Sequence, residues 1–169
     1  MREIDPIKLS VEPVDLWMNQ WLLLTSGDSE DYNMMTVAWG SIGCMWEKPF
    51  AQIVVRPQRH TRGYTDRFDT FTLCAFPEKY STDLTIMGTI SGRDGDKISK
   101  TAFTVKKSEL VAAPSYNEAS LILECRTMYQ QNMDPAGFVD QSTHEIYKEK
   151  DYHRIYYGEI LKAFTDNAS

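Results

Sequence analysis

The chain has 169 residues and a formal net charge of −6, with 42% hydrophobic and 25% charged residues. These values are typical of one compact folded domain and argue against a disordered, collagen-like or coiled-coil chain. The acidic balance predicts no overall attraction to nucleic acid or to an anionic membrane, so an anionic ligand would need a local basic pocket.

The cysteines and the N-terminal residues predict a cytoplasmic protein. Cys44, Cys74 and Cys125 are odd in number and contain no C-x-x-C pair, so neither a disulfide framework nor a zinc ribbon is indicated. Each lies in an apolar strand pattern, which predicts that the thiols pack inside the protein. The first residues are too polar for a secretory signal, and no segment approaches the ~20 apolar residues of a membrane span. No linker or repeat interrupts residues 1–169, which we expect to form a single domain.

Six segments have the short apolar or alternating pattern of β-strands. In chain order they are residues 21–25, 34–42, 50–55, 71–76, 121–129 and 154–164. The third places Ala51, Ile53 and Val55 on one face, and the acidic residues 26–31 form a loop between the first two.

Helical patterns are fewer and shorter. Residues 61–67 predict a helix whose stability Gly63 limits, and residues 81–90 predict an amphipathic helix with Leu84 and Met87 on its apolar side. A third short helix is expected over residues 96–99. Many strands with few helices favour a barrel or sandwich over a doubly wound sheet, and the absence of a G-x-G-x-x-G turn gives no support to a Rossmann site.

The most basic stretch is residues 56–62, between a predicted strand and a predicted helix. From Phe50 to Thr65 there are three arginines and no acid. Guanidinium groups, the Thr61 hydroxyl and the amides at the helix start would suit a phosphate group. The alternative is a solvated turn whose arginines pair with surplus acids.

Two further segments are candidates for ligand contact. In residues 33–44, small residues alternate with large ones, so a planar ligand could lie against exposed backbone beside the hydroxyl of Thr36 or Ser41. The alternative is a barrel strand bent by glycines. In the loop 91–97, Arg93 and Lys97 could reach an anion, and the alternative is an ordinary polar turn. The D-x-D spacing in this loop lacks the remaining ligands of a calcium loop.

Other catalytic centres find no support in the sequence. His60, His144 and His153 lack the spacing of a metal site, and no G-x-S-x-G elbow is present. A Cys–His catalytic pair is not indicated either.

Taken in order, these segments resemble the flavin reductase-like family of FMN-binding split barrels, and especially its flavoredoxin-like branch. The matching pieces are residues 33–40, 47–49, 54–57, 59–61, 69–73, 91–97 and 153 with 158–160, so the resemblance extends from about residue 21 to residue 164. It implies a mainly β fold with short helices, a six-stranded Greek-key split β-barrel, and a homodimer in which the partner subunit contributes to a non-covalent FMN site.

The resemblance also implies which residues form the site. Strand residues and the basic segments would hold the cofactor; these are Met35, Thr36, Val37, Ala38, Trp39, Gly40, Ser41, Arg56, Arg59, His60, Thr61, Ser91, Arg93 and Lys97. His153 is the candidate catalytic residue, orienting nicotinamide or relaying a proton, and the alternative is a hydrogen-bonded histidine at a strand entrance. The commonest reductases have Gly-Asp-His here, whereas this chain has Asp151-Tyr152-His153, and Tyr152 fits the flavoredoxin-like branch better.

Three functions follow as expectations. The first is an FMN-dependent oxidoreductase that takes electrons from a reduced donor, with NAD(P)H as the candidate, and passes them to flavin or to a downstream acceptor. The second is a flavoredoxin-type electron carrier with little NAD(P)H activity. The third is a non-catalytic barrel that binds another planar or phosphorylated ligand. No nucleic-acid or membrane partner is expected.

Overall fold

A computed structural model of the chain describes residues 1–166. Residues 167–169, the last three of the expected domain, lie outside the described residues. None of the helices in the described part is long and apolar enough to cross a membrane.

Antiparallel strands make up most of the regular structure. They are β1 (Arg2–Ile4), β2 (Leu22–Gly27), β3 (Tyr32–Val37), β4 (Gly40–Met45), β5 (Lys48–Val55), β6 (Thr70–Ala75), β7 (Val105–Lys106), β8 (Ser115–Tyr116), β9 (Leu121–Asn132) and β10 (Arg154–Thr165). The strands predicted over residues 50–55, 71–76, 121–129 and 154–164 are confirmed as β5, β6, β9 and β10. In β6 and in the first half of β9 consecutive side chains are buried, so these segments are covered on both faces.

The main sheet has eight strands in the order β3-β2-β6-β9-β10-β5-β4, with β1 also paired to β10. β7 and β8 form a separate small sheet. The predicted split-barrel fold is confirmed, although the sheet has two strands more than the expected six. One addition is β1, and the other arises because residues 34–42 form parts of two strands.

The prediction of one continuous strand over residues 34–42 was wrong. Ala38 and Trp39 interrupt it, after which the chain pairs with β5 at the other end of the sheet. The residues on both sides of the break are apolar or small, so the local sequence does not reveal it. Distant residues determine which strand the chain pairs with. Because two residues join β3 to β4, the two edges of the sheet lie close together, as in a barrel that is split.

The inner face of the sheet forms the main core. Its fully buried side chains are Leu22, Leu24, Ala51, Ile53, Val55, Phe71, Leu73, Leu123, Cys125 and Tyr156. A second cluster packs between the sheet and a helix, with Leu84 and Met87 supplied by the helix and Tyr116 by β8. Burial of this apolar surface, at roughly 25 cal/mol per Å², drives the folding of both layers.

The helices are short and lie outside the sheet. They are α1 (Pro13–Asp15), α2 (Thr61–Arg67) and α3 (Ser81–Thr89), with a π-helical turn at Leu16–Gln20 and 3-10 turns at Pro6–Lys8, Glu78–Tyr80, Gly92–Asp94, Ile98–Lys100, Pro135–Gly137 and Gln141–Tyr147. α2 and α3 confirm the predicted helices at residues 61–67 and 81–90. The third prediction shrinks to one 3-10 turn, whose amides Asp96 caps.

The three cysteines are free thiols with different surroundings. Cys74 and Cys125 are buried, as predicted, and burial raises the pKa of Cys74 to about 12. The expectation that Cys44 packs inside was wrong. It is exposed because it lies on β4, which pairs with β5 at the end of the main sheet's strand order.

Candidate functional site

Most of the predicted site residues line two adjoining clefts. The first, which we call the basic cleft, has a volume of about 210 Å³ and lies between β3, the loop before α2 and the loop after α3. Seven predicted residues line it: Met35, Arg59, His60, Thr61, Ser91, Arg93 and Lys97. No Asp or Glu is among its lining residues, so the cleft carries an excess of positive charge.

Three cations in the basic cleft, Arg59, Arg93 and Lys97, have no carboxylate partner among residues 1–166. The guanidinium of Arg59 makes no hydrogen bond or ion pair there. Lys97 is 4% exposed, and its ammonium donates to the main-chain oxygens of Met34, Met87 and Ile90. Burial, followed by the charge of Arg59, lowers the pKa of Lys97 to about 8. An anion placed in the cleft would relieve this repulsion.

One wall of the basic cleft forms where the loop after α3 comes unusually close to β3. Asn33 of β3 donates through its Nδ2 to the buried Thr61 hydroxyl at 2.8 Å. A Cβ at Gly92 would lie 2.1 Å from the Asn33 Oδ1, so only glycine allows the loop after α3 to come this near. The cleft is therefore shaped by residues on β3, α2 and this loop together.

Ser91, Arg93 and His60 add polar groups to the basic cleft. The Ser91 hydroxyl accepts from the amide of Arg93 at 3.2 Å, and the Arg93 guanidinium donates to the main-chain oxygen of Gln58 at 3.1 Å. Burial, then the charges of Arg93 and Lys97, lower the pKa of His60. His60 is consequently neutral at neutral pH and available as a hydrogen-bonding group.

The second cleft, which we call the strand cleft, has a volume of about 240 Å³ and runs along residues 35–39. It shares Met35 and Arg59 with the basic cleft, so the two clefts adjoin. Trp39 is 47% exposed, and its ring centroid lies 5.2 Å from that of His153. The strand cleft thus offers backbone on one side and aromatic surface on another, which suits a flat ligand.

Arg56 lines the strand cleft but differs from Arg59 in being paired. Its guanidinium forms an ion pair with Asp151 and lies 5.3 Å from the ring centroid of Tyr147. Gln58 donates to the same carboxylate at 2.7 Å. The hydrogen bonds from Gln58 and Arg56 lower the pKa of Asp151. Arg56 is thus already neutralised by a carboxylate.

His153 is buried at the entrance to β10. It is 6% exposed, and its Nδ1 lies 2.8 Å from the hydroxyl of Tyr147. Burial, followed by the charge of Arg56, lowers its pKa to about 4. The imidazole is therefore neutral at neutral pH and acts there as a hydrogen-bonding group beside Trp39.

Three predicted residues offer no free side-chain polar group to the two clefts. Gly40 and Ser41 line neither cleft. A Cβ at Gly40 would lie 2.4 Å from the Trp17 ring, and the Ser41 hydroxyl donates to the Gln52 side chain at 3.0 Å. Thr36 lines the strand cleft, but its hydroxyl donates to a main-chain oxygen of α3.

Four contributing residues were missing from the predicted set. Asn33 and Gly92 shape the basic cleft, whereas Tyr147 and Asp151 hold His153 and Arg56. Asn33 begins one of the segments on which the family resemblance rests, so its position alone was a usable signal. Tyr147 and Asp151 lie in residues 133–152, which have no regular hydrophobic period, and the comparison of the residues before His153 assigned no site role to Asp151.

The arrangement is suited to binding an extended ligand with an anionic end. The basic cleft would take the anion, and the strand cleft would take a flat group beside residues 35–39. Within residues 1–166, no three His, Cys, Asp or Glu side chains lie together as a metal site would require. A larger cavity of about 660 Å³ lies between residues 6–13 and the β4–β5 hairpin, and none of the cationic residues lines it.

Comparisons with known proteins identify structures of the same fold. No family model matches the sequence. An uncharacterized protein from Archaeoglobus fulgidus is 26% identical over 156 residues, which cover 87% of each chain.

Two solved structures illustrate the likeness. Flavoredoxin from Methanosarcina acetivorans has 20% identity and a TM-score of 0.67, covering 95% of this chain and 73% of its own. An FMN-binding domain of a flavin reductases-like enzyme from Shewanella baltica has 14% identity and a TM-score of 0.71, covering 98% and 76%. At the level of the fold, the chain is therefore a split barrel of the kind found in flavoredoxin and in flavin reductase-like FMN-binding proteins.

Proposed function

We propose that this chain is an FMN-binding oxidoreductase that receives electrons from a reduced donor and passes them to an acceptor. The proposal rests on one observation above all. Arg59 and Lys97 are cations without a carboxylate partner in the described chain. Both line the basic cleft, and Arg59 also lines the strand cleft. The fold shared with FMN-binding proteins supports the same ligand.

The residues fit FMN by size and charge. In the basic cleft, Arg59 would bind the phosphate directly, while Lys97 supplies a fixed positive charge from behind the wall. Thr61 and Arg93 border the same space. The flat ring system would lie in the strand cleft between the backbone of residues 35–39 and the side chain of Trp39.

FMN, when bound, supplies one- and two-electron redox chemistry that no side chain provides. The protein's part is to bind, orient and shield. Trp39 and the buried His153 would exclude water from one side of the ring. Because the pKa of His153 is about 4, we assign it the role of a hydrogen-bonding group at neutral pH rather than that of a proton donor.

We also propose that the protein is a cytoplasmic homodimer. The strand cleft is open beside the half-exposed Trp39. Trp46, Tyr129 and Tyr157 form an aromatic cluster, in which Trp46 is 58% exposed and Tyr129 is 42% exposed. A second copy would bury such surface and complete the site. Three free thiols fit a reducing compartment.

The absorption spectrum of the purified protein tests FMN binding. We expect a yellow protein or, after removal of ligand, a rise in melting temperature on adding FMN, because a ligand at 100 times its Kd stabilises by about 2.7 kcal/mol. Riboflavin is the matched control, since it has the same ring and no phosphate. A colourless protein whose melting temperature FMN leaves unchanged would refute the proposal, and a haem or pyridoxal spectrum would indicate another ligand.

The electron donor is tested by stopped-flow absorbance. If NADH or NADPH bleaches the bound flavin within seconds, the protein acts as a flavin reductase. If dithionite bleaches the flavin and neither nicotinamide does so, the protein is an electron carrier of the flavoredoxin type. The neutral, buried His153 and the packing of Tyr152 against Phe138 and Tyr147, away from the strand cleft, favour the carrier.

A further inference from the structure

Two arginines line the strand cleft, and they differ in what neutralises them. Arg59 also lines the basic cleft, where the phosphate of the proposed ligand would meet it. Arg56 lines the strand cleft alone of the two, and it forms an ion pair with Asp151, two residues before His153. The charge that a flat ring would meet beside His153 therefore depends on whether Arg56 keeps its carboxylate.

The ion pair between Arg56 and Asp151 is held in place by its neighbours. The two side chains are 27% and 14% exposed, so water screens the pair only in part. Gln58 donates to the Oδ2 of Asp151 at 2.7 Å, and the Arg56 guanidinium lies over the ring of Tyr147. The two charges consequently act on the strand cleft as one neutral unit.

The electrostatics of His153 show that both charges reach the wall of the strand cleft. Burial is the largest cause of the lowered pKa of His153; the charge of Arg56 lowers it further, and the charge of Asp151 raises it. A ring bound beside His153 would respond to the same two charges. Asp151 does not itself line the cleft, so its effect there comes through Arg56.

We propose that Asp151 makes the bound flavin a stronger reductant by neutralising Arg56, and that Asp151 is thus a positioning residue for the redox site. This inference rests on the proposed function. Reduction adds two electrons and one proton to the flavin and leaves one negative charge on the ring, so a positive charge nearby favours the reduced form. With Asp151 in place, Arg56 provides little of that stabilisation.

Asp151→Asn removes the negative charge with little change of shape. The hydrogen bonds from Arg56 and Gln58 both go to Oδ2, and Oδ1 accepts none from the described residues. The amide nitrogen of asparagine can therefore take the place of Oδ1 while both hydrogen bonds remain. Arg56→Gln is the opposite change, because it leaves Asp151 without its cation. Glu145→Gln is the matched control, since it removes a carboxylate from the same segment at a side chain that is 79% exposed.

Potentiometric titration of the FMN complexes with dithionite and a reference dye at neutral pH measures the midpoint potential. We expect Asp151→Asn to favour the reduced flavin about tenfold, which is a rise of about 30 mV for a two-electron couple. Arg56→Gln should lower the potential by a similar amount. The double variant should return close to the wild-type potential because both charges are gone, and Glu145→Gln should match the wild type.

The opposite signs separate a charge effect from a structural one. If the wild type binds no FMN, the proposed function fails and this inference fails with it. If FMN binds but the two single variants shift the potential in the same direction, or shift it no more than Glu145→Gln does, FMN binding stands and Asp151 has no part in setting the potential.

Discussion

Arg56 and Arg59 lie three positions apart in the same basic segment, yet their surroundings differ completely. Arg56 is neutralised by Asp151, whereas Arg59 faces the buried ammonium of Lys97 with no acid nearby. Sequence alone treated both as phosphate ligands, because the partner of Arg56 comes from a segment almost a hundred residues away. The structure therefore makes Arg59 the stronger candidate for binding an anion.

Replacing Arg59 should weaken FMN binding selectively. We expect Arg59→Gln to raise the Kd for FMN by about 10- to 100-fold, the value of one charge-assisted hydrogen bond, with little effect on riboflavin. Arg126→Gln is the control, because it removes the same charge from an exposed arginine that pairs with Glu159. Flavin fluorescence titration gives the constants, and equal FMN affinity in the two variants would count against the assignment.

Lys97 should make phosphate binding take up a proton. Its pKa of about 8 leaves it mostly uncharged near pH 9, and a bound phosphate would raise that pKa toward its usual 10.5. At about pH 7 the ammonium is already charged and takes up nothing further. Because the pKa of His60 is lowered, His60 is uncharged near pH 9 and contributes no proton uptake there.

Calorimetry in buffers of different ionisation enthalpy measures this uptake. We expect up to one proton per FMN bound at about pH 9, less at about pH 7, and none from Lys97 with riboflavin at either pH. Equal proton uptake with FMN and riboflavin would contradict a phosphate beside Lys97.

At the scale of elements, the site depends on how closely the loop after α3 approaches β3. Gly92→Ala would place a Cβ 2.1 Å from the Asn33 Oδ1 and push the loop outward. We expect a loss of about 1–3 kcal/mol in the free energy of unfolding, as for other overpacked sites, together with weaker FMN binding.

Gly137→Ala is the matched control for this change. Gly137 also lies in a 3-10 turn, but its added Cβ would meet nothing within 4 Å, so the effect should stay within about 0.5 kcal/mol. Urea unfolding measures both variants. Equal stability of the two would show that the contact between Gly92 and Asn33 does not constrain the site.

Secondary-structure elements were predictable from the sequence wherever the local spacing of hydrophobic residues determines them. Ile53 and Val55 alternate with polar or outward residues, and Leu84 and Met87 recur at helical spacing, so β5 and α3 followed from sequence. The break at Ala38 and Trp39 was not predictable, because pairing with β2 on one side and β5 on the other decides it. For the same reason sequence proposed Ser41 as a ligand group, although pairing with β5 commits its hydroxyl to Gln52.

At the scale of the whole molecule, the net charge of −6 is compatible with an anionic ligand because the basic cleft is lined by Arg59, Arg93 and Lys97 and by no acid. Elsewhere the chain presents exposed aromatic side chains, and Trp46 is the most exposed member of the cluster that it forms with Tyr129 and Tyr157. These two surfaces correspond to the two proposed interactions, with a phosphorylated flavin and with a second copy of the chain.

The proposed homodimer predicts a definite mass in solution. Sedimentation velocity should give two 19.5 kDa chains per particle. Trp46→Ser should shift the protein toward the monomer, and Leu110→Ser, which replaces an equally exposed apolar residue outside the aromatic cluster, serves as the control. A monomeric wild type at micromolar concentration would contradict the dimer.

The position of β10 has a consequence for how the protein is made. β10 joins β9 to β5 and also pairs with β1, so it links the strands β3-β2-β6-β9 to the pair β5-β4. It is also the strand that a ribosome would complete after all the others described. Until residue 165 has emerged, β10 cannot join the two parts of the sheet, and their apolar faces stay uncovered. We therefore expect nascent chains to need protection against aggregation.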